Sequence, residues 1–158
     1  MAYIYPAPGV SGVQSTLSIS VQANGSDTGL TLPALQDVTV NNANDVFTWT
    51  QLDSGSKQQI ATTATNSLGM NLVLEQASFF GDSTTTANTA AYSGVFGLSK
   101  NKTKVSFSLY LGDTDGGATG KTITGDGYIT GLAPTVSADA PVWVTPITIT
   151  VDGDYTVS

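Results

Sequence analysis

Cysteine, histidine and arginine are all absent from the 158 residues, and Glu75 is the one glutamate. Without cysteine there is no disulfide framework, no thiolate metal site and no cysteine nucleophile. Without histidine the commonest general base, the commonest metal ligand and the partner of a catalytic serine are missing. Without arginine the chain lacks the side chain that grips phosphate in a two-pronged hydrogen bond. Five lysines stand against twelve acids, a net charge of −7, so the surface repels nucleic acid instead of displacing its counterions. No window approaches the run of about 18 apolar residues that spans a bilayer. The opening residues Met1–Pro6 have neither the basic nor the apolar region of a secretory signal. These absences argue against an enzyme, a metalloprotein and a reader of nucleic-acid sequence, and no cofactor is implied.

Serine and threonine supply 40 residues. Threonine favours strands, and strong helix formers for a surface are scarce, so the composition points to β structure. Residues 1–14 carry no period and read as an extended N-terminal arm; residues 15–158 read as a single domain. Ser15 to Val21 alternates apolar Leu17, Ile19 and Val21 with hydroxyls, a half-buried strand. The turn Asn24-Gly25-Ser26-Asp27 leads to a partner over Thr28–Leu32. Gln36–Val40 and Asp45–Leu52 flank polar Asn41–Asn44 and read as a second hairpin, with Phe47 and Trp49 on one face. For 53–67 a loop and a short helix from Ser56 both fit, and Gly69–Gln76 reads as a strand.

Small and apolar residues at Ala87, Ala91, Gly94, Val95 and Leu98 have helical spacing. Ser83–Thr86 offer N-caps, and Lys100, Lys102 and Lys104 suit the C-terminal end of the dipole. Val105–Leu111 and Lys121–Leu132 alternate as strands around a loop from Gly112 to Gly117, with Gly125 and Gly127 suggesting a bend. The last strand, Val142–Val151, changes apolar phase across Thr145-Pro146, which suggests a bulge at the proline. The sum is a mainly β fold, a β-sandwich or small barrel of about seven or eight strands with one packed α-helix.

Three stretches invite a chemical reading and fail it. Asp113-Thr114-Asp115-Gly116 and Asp152-Gly153-Asp154 lack the closing carboxylate of a calcium loop, and Asp/Gly turns account for both. Gly116–Thr122 ends like a phosphate loop, but Asp115 stands where the first glycine is needed and a strand follows in place of a helix. Trp49 and Trp143 could stack on sugars, yet tryptophan on an alternating strand is more often core or interface.

From the helix onward the order of elements resembles the tail-tube proteins of long-tailed bacteriophages. The resemblance rests on Ala87–Leu98, Val105–Leu111, the run Thr124-Gly125-Asp126-Gly127-Tyr128-Ile129-Thr130-Gly131-Leu132, and the closing Ile147-Thr148-Ile149-Thr150-Val151-Asp152-Gly153-Asp154-Tyr155. More loosely, Phe47-Thr48-Trp49 leading to Leu52–Lys57 resembles the hairpin and loop through which such subunits stack. The resemblance implies a structural virion protein without catalytic residues. Its subunits form rings, hexameric in that family, that stack into a hollow tube passing double-stranded DNA without specific binding. It also implies assembly in the host cytoplasm, a place in the virion tail, contacts with sheath or terminator and with baseplate or tip proteins, and no membrane.

On this reading Asn41, Asn42, Asn44, Phe47, Trp49 and Asp53 are the candidate contacts between rings. Asp27, Asp37, Glu75 and Asp126, on or beside strands, are the candidate acids facing the lumen. Two other classes remain open: a capsid decoration or virion surface protein, and a carbohydrate-binding module. Self-assembly into rings separates the first reading from both.

Overall fold

The computed structural model describes residues 4–5, 15–21, 26–32, 35–53, 55–114 and 120–158. Its strands are β1 (Ile4–Tyr5), β2 (Thr16–Val21), β3 (Leu30–Leu32), β4 (Leu35–Thr50), β5 (Lys57–Val73), β6 (Val105–Tyr110), β7 (Asp113–Thr114), β8 (Thr122–Leu132), β9 (Thr135–Ser137) and β10 (Ala140–Val157). Two helices, α1 (Gln76–Phe80) and α2 (Ala90–Lys100), lie between β5 and β6. One antiparallel sheet of eight strands runs β3-β2-β6-β8-β10-β5-β4, with β9 paired to β10. It is not a closed barrel. β1 pairs separately with β7, Ile4 opposite Thr114.

The period-2 pattern explains the core. Leu17 and Ile19 of β2, Val105, Phe107 and Leu109 of β6, and Ile147 and Ile149 of β10 are all buried. Leu68, Met70 and Leu72 of β5 join them, with Phe79 of α1 and Ala90, Val95 and Leu98 of α2 in the same cluster. Each fully buried aliphatic contributes roughly 1.5–3 kcal/mol, so this cluster is what the body of the molecule rests on. α2 is capped by Thr89, whose hydroxyl accepts from Tyr92 N at 3.2 Å. It breaks at Gly94 (φ 62°, ψ 174°), where a side chain would strike Phe79 O and Gly81 N. Only glycine lets α1 come that close.

The mainly β architecture with one substantial packed helix agrees with the sequence, and several local expectations do not. Asn41–Asn44 is not a turn: it lies inside β4, one strand of 16 residues whose partner is the 17-residue β5. The hairpin therefore closes at 51–56, and the segment from Lys57 to Ser67 is strand, neither loop nor helix. Threonine and glutamine there are exposed along the β4–β5 ladder and supply no apolar alternation.

The helix starts at Ala90, later than expected, because Thr89 and not Ser83–Thr86 caps it. α1 was not foreseen, being barely longer than one turn. Of the three lysines assigned to the dipole, Lys100 is in the last turn of α2, while Lys104 pairs with Asp152 at 2.7 Å. No bulge falls at Pro146, since Val144–Thr150 pair one for one with Val73–Ser67. Thr145, Ile147 and Ile149 hold the core side throughout, and Val144 sits on the other side of the strand, partly exposed. Asp152-Gly153-Asp154 is a bulge, not a turn: three residues opposite the single Asp126. Most of the N-terminal arm, Asn24-Gly25 and 115–119 lie outside the described residues.

Candidate functional site

The strongest candidate is the outer part of the β4–β5 hairpin. From Asn41 to Thr50 and from Lys57 to Thr65 every residue is exposed. At about 3.4 Å per residue this ribbon is roughly 30 Å long. A register shift lies between Asn44 and Val46, and beyond it Phe47 pairs with Ile60 and Trp49 with Gln58. The Phe47 and Trp49 rings stack with centroids 5.9 Å apart. Phe47 is 59% exposed, Ile60 56%, and Leu52 in the turn fully so. A two-stranded ribbon bare on both faces is marginal in water, and its aromatic ladder has no apolar cover in the isolated chain.

At the foot of the arm, Asn42, Asn44 and Asn66 border a cavity of about 510 Å³ with Asp154 of the β10 bulge. Asn66 Oδ1 is buried there without a hydrogen-bond partner. The six residues expected to touch a neighbouring ring thus share one arm: Asn41, Asn42, Asn44, Phe47 and Trp49 on β4, Asp53 in its turn.

The four acids expected to line a lumen are not brought together. Asp27 accepts from Val21 N at 2.6 Å and Ala90 N at 2.8 Å, tying the end of β2 to the start of α2. Asp37 accepts from the backbone and side-chain amides of Asn71 at 3.1 and 2.7 Å. Glu75 precedes α1 and accepts from Ser78 Oγ at 3.2 Å. Asp126, on β8, accepts from Ser106 Oγ at 2.6 Å. It borders a shallow cavity of about 510 Å³ with Ser18, Ser20, Ser108, Asp152 and Asp154 among its walls. Every second residue of β2 and β6 presents a hydroxyl here because its neighbours are committed to the core.

A second exposed apolar surface escaped the sequence reading. Phe80 of α1 and Phe96 and Tyr92 of α2 are exposed at 60%, 44% and 42%. Phe80 lies 5.8 Å from Phe96 and edge-on to buried Phe79 at 4.8 Å. Beside them Glu75, Gln76, Gly81, Asp82 and Ser83 border a cleft of about 350 Å³. The signal was in the sequence as Phe79-Phe80 followed by Gly81-Asp82, but α1 is too short to show a period.

Among the described residues three titrations are displaced. Hydrogen bonds from the backbone and then the hydroxyl of Thr84 hold the Asp82 carboxyl below its ordinary range. The bond to Asp152 raises Lys104, and the bond that Tyr110 donates to Asp113 raises the phenol. Each follows from a partner that favours one protonation state. Among the described residues no group of three acids is placed to hold a metal ion, and no helix is long and apolar enough to cross a membrane.

The geometry is that of a β sheet with a helical cover and a long exposed arm. No known protein family matches the chain by sequence, and no curated protein does. Solved structures do match its fold. A chain from the tail of an empty GTA particle with C6 symmetry superposes with a TM-score of 0.59 at 13% identity, covering 90% of this chain and 95% of that one. A chain from the six-fold symmetrised baseplate of the anti-feeding prophage gives 0.58 at 9% identity, covering 98% and 96%. One from the sheath–tube complex of an extracellular contractile injection system gives 0.53 at 15% identity, covering 98% and 92%. The fold is therefore one shared with chains of phage-like tails and injection systems, and it matches the tail-tube resemblance read from the sequence.

Proposed function

We propose that the chain is a tube subunit of a phage-like tail, a structural protein with no catalytic task. Its copies form rings, six to a ring, that stack around a conduit for double-stranded DNA. The observation that carries this reading is the β4–β5 arm, a ribbon exposed on both faces with Phe47, Trp49 and Ile60 uncovered. Such an arm is stable when it lies on a neighbour, and a neighbouring ring is the surface always available to a stacked subunit. The likeness of fold to chains of tails and injection systems supports it. β4 is also the long open edge of the sheet, and edge strands of this length are a hazard unless paired. Within a ring that edge can add to the next subunit's sheet. Asp126 and the hydroxyl field around it then form the face turned to the lumen, where acids and hydroxyls offer DNA no counterion to displace. Sheath, terminator and baseplate proteins are the natural further partners, in the virion tail.

Negative-stain microscopy of the purified protein tests the reading. Rings or tubes are expected for the wild type. Phe47→Ser with Trp49→Ser should leave a folded subunit that no longer stacks, because buried interface aromatics typically cost about 2 kcal/mol or more on truncation. A wild type that stays monomeric when concentrated, or a double variant that stacks unchanged, overturns it.

A further inference from the structure

We infer that the arm of one copy seats its tip on the α1–α2 corner of another, with Lys57 entering the acidic cleft between Glu75 and Asp82. This rests on the tube reading and gives the arm its receptor. The arm tip with Phe47, Trp49 and Leu52 and the corner with Phe80, Tyr92 and Phe96 are exposed apolar surfaces of the same chain, and Val136, Val142 and Trp143 about the β9–β10 pair are exposed as well. The tip and the corner lie on different elements, so a contact between them is heterologous, and repeated it builds an open stack rather than a closed pair.

Charge decides the pairing. Lys57 is the only basic side chain in the first 99 residues. It stands at the end of the arm opposite Thr50, one step from the Trp49–Gln58 pair. On the corner, Glu75 and Asp82 border one cleft beside the aromatics. Asp82 is held ionised by Thr84, and the Lys104–Asp152 ion pair is elsewhere. The tip carries Lys57 as its one cation, with Asp53 in the same turn, and that cation is complementary to the two carboxylates at the corner. Successive strand residues point to opposite faces, so Trp49 and Lys57 flank the ribbon. The tip therefore seats end-on, aromatic face to the helices and lysine to the cleft.

The chain has no cysteine, which allows a direct test by crosslinking. In Lys57→Cys with Ser83→Cys, mild oxidation of the assembled protein should give a ladder of covalent multimers. Each single-cysteine variant should give dimers at most. Charge exchange is the second arm: Lys57→Glu should raise the concentration needed for assembly roughly tenfold or more. Glu75→Lys with Asp82→Lys, added to Lys57→Glu, should bring it back towards the wild-type value. Wild-type tubes that form while the double-cysteine variant yields no ladder, or while Lys57→Glu assembles as well as wild type, refute this docking and leave the tube reading standing. Wild-type protein that never assembles sinks both.

Discussion

Single residues here act by occupying a hydrogen bond or a space that no other side chain would. Asp27 joins the end of β2 to the start of α2, 63 residues further along the chain from itself, through one carboxylate. Tyr110 donates to Asp113 and accepts from Gly120 N at 3.2 Å, so a phenol clips the strand that follows β6. That clip sets a pH limit. The folded-state pKa of Tyr110 is raised, so the neutral phenol is the form that folding favours. Its stabilising share is complete below the unfolded pKa of a tyrosine, about 10, and is lost as pH rises through the higher folded value. Lys104, also raised by its partner, falls in the same alkaline direction. Tyr110→Phe should therefore lower stability at neutral pH by that share and flatten the further loss above about pH 10, the two proteins converging at the alkaline end. Urea titrations from pH 7 upward, with phenolate absorbance as a second readout, check this. An alkaline limb identical in the two proteins would show that the clip contributes nothing.

Elements differ in how far the sequence announced them. β2, β6, β8 and the second half of β5 alternate because one face packs on the core, and those alternations were legible as strands. The arm was not, because residues exposed on both faces are under no demand to alternate. Its asparagines therefore looked like a turn and its threonines like a loop. Phe47 and Trp49 were legible as aromatics on one face of a strand, but not as exposed parts of one 16-residue strand. The α1–α2 corner was hidden in the brevity of α1. α2 itself was legible by spacing, and its break was not, because helical spacing says nothing of a backbone at positive φ. That break makes a local prediction. In Gly94→Ala the new methyl meets Phe79 O and Gly81 N in a left-handed conformation, so α1 must move or α2 must straighten. Strain and clash together should cost about 3 kcal/mol, read as a lower denaturation midpoint with an unchanged slope. Gly97→Ala, in the same helix at ordinary φ and near only the Ser93 side chain, is the control. If both alanines cost the same, the break is not what makes Gly94 necessary.

At the scale of the whole molecule, net charge and local contact pull against each other, and their ranges decide which wins. Each subunit carries −7, and stacking copies of one acidic protein brings all of that charge within a few tens of ångströms. The repulsion is a sum over many distant pairs, whereas attraction in the proposed docking would rest on one lysine meeting two acids. Salt at 0.1 M screens over about 10 Å, so it removes the long-range sum far more than the contact pair, and it leaves apolar burial at the aromatic ladder intact. Assembly should therefore be promoted by salt, contrary to the behaviour of an interface held mainly by ion pairs. Sedimentation of the wild type in 50 mM and 500 mM sodium chloride should show the critical concentration falling several-fold at the higher salt. In Lys57→Glu the subunit charge becomes −9, from −7 by removing one positive and adding one negative charge. Its repulsion is larger and its contact gone, so its assembly should respond to salt more steeply than the wild type while staying weaker at every concentration. A critical concentration that rises with salt in the wild type would mean that ion pairs, and not the aromatic arm, hold the copies together.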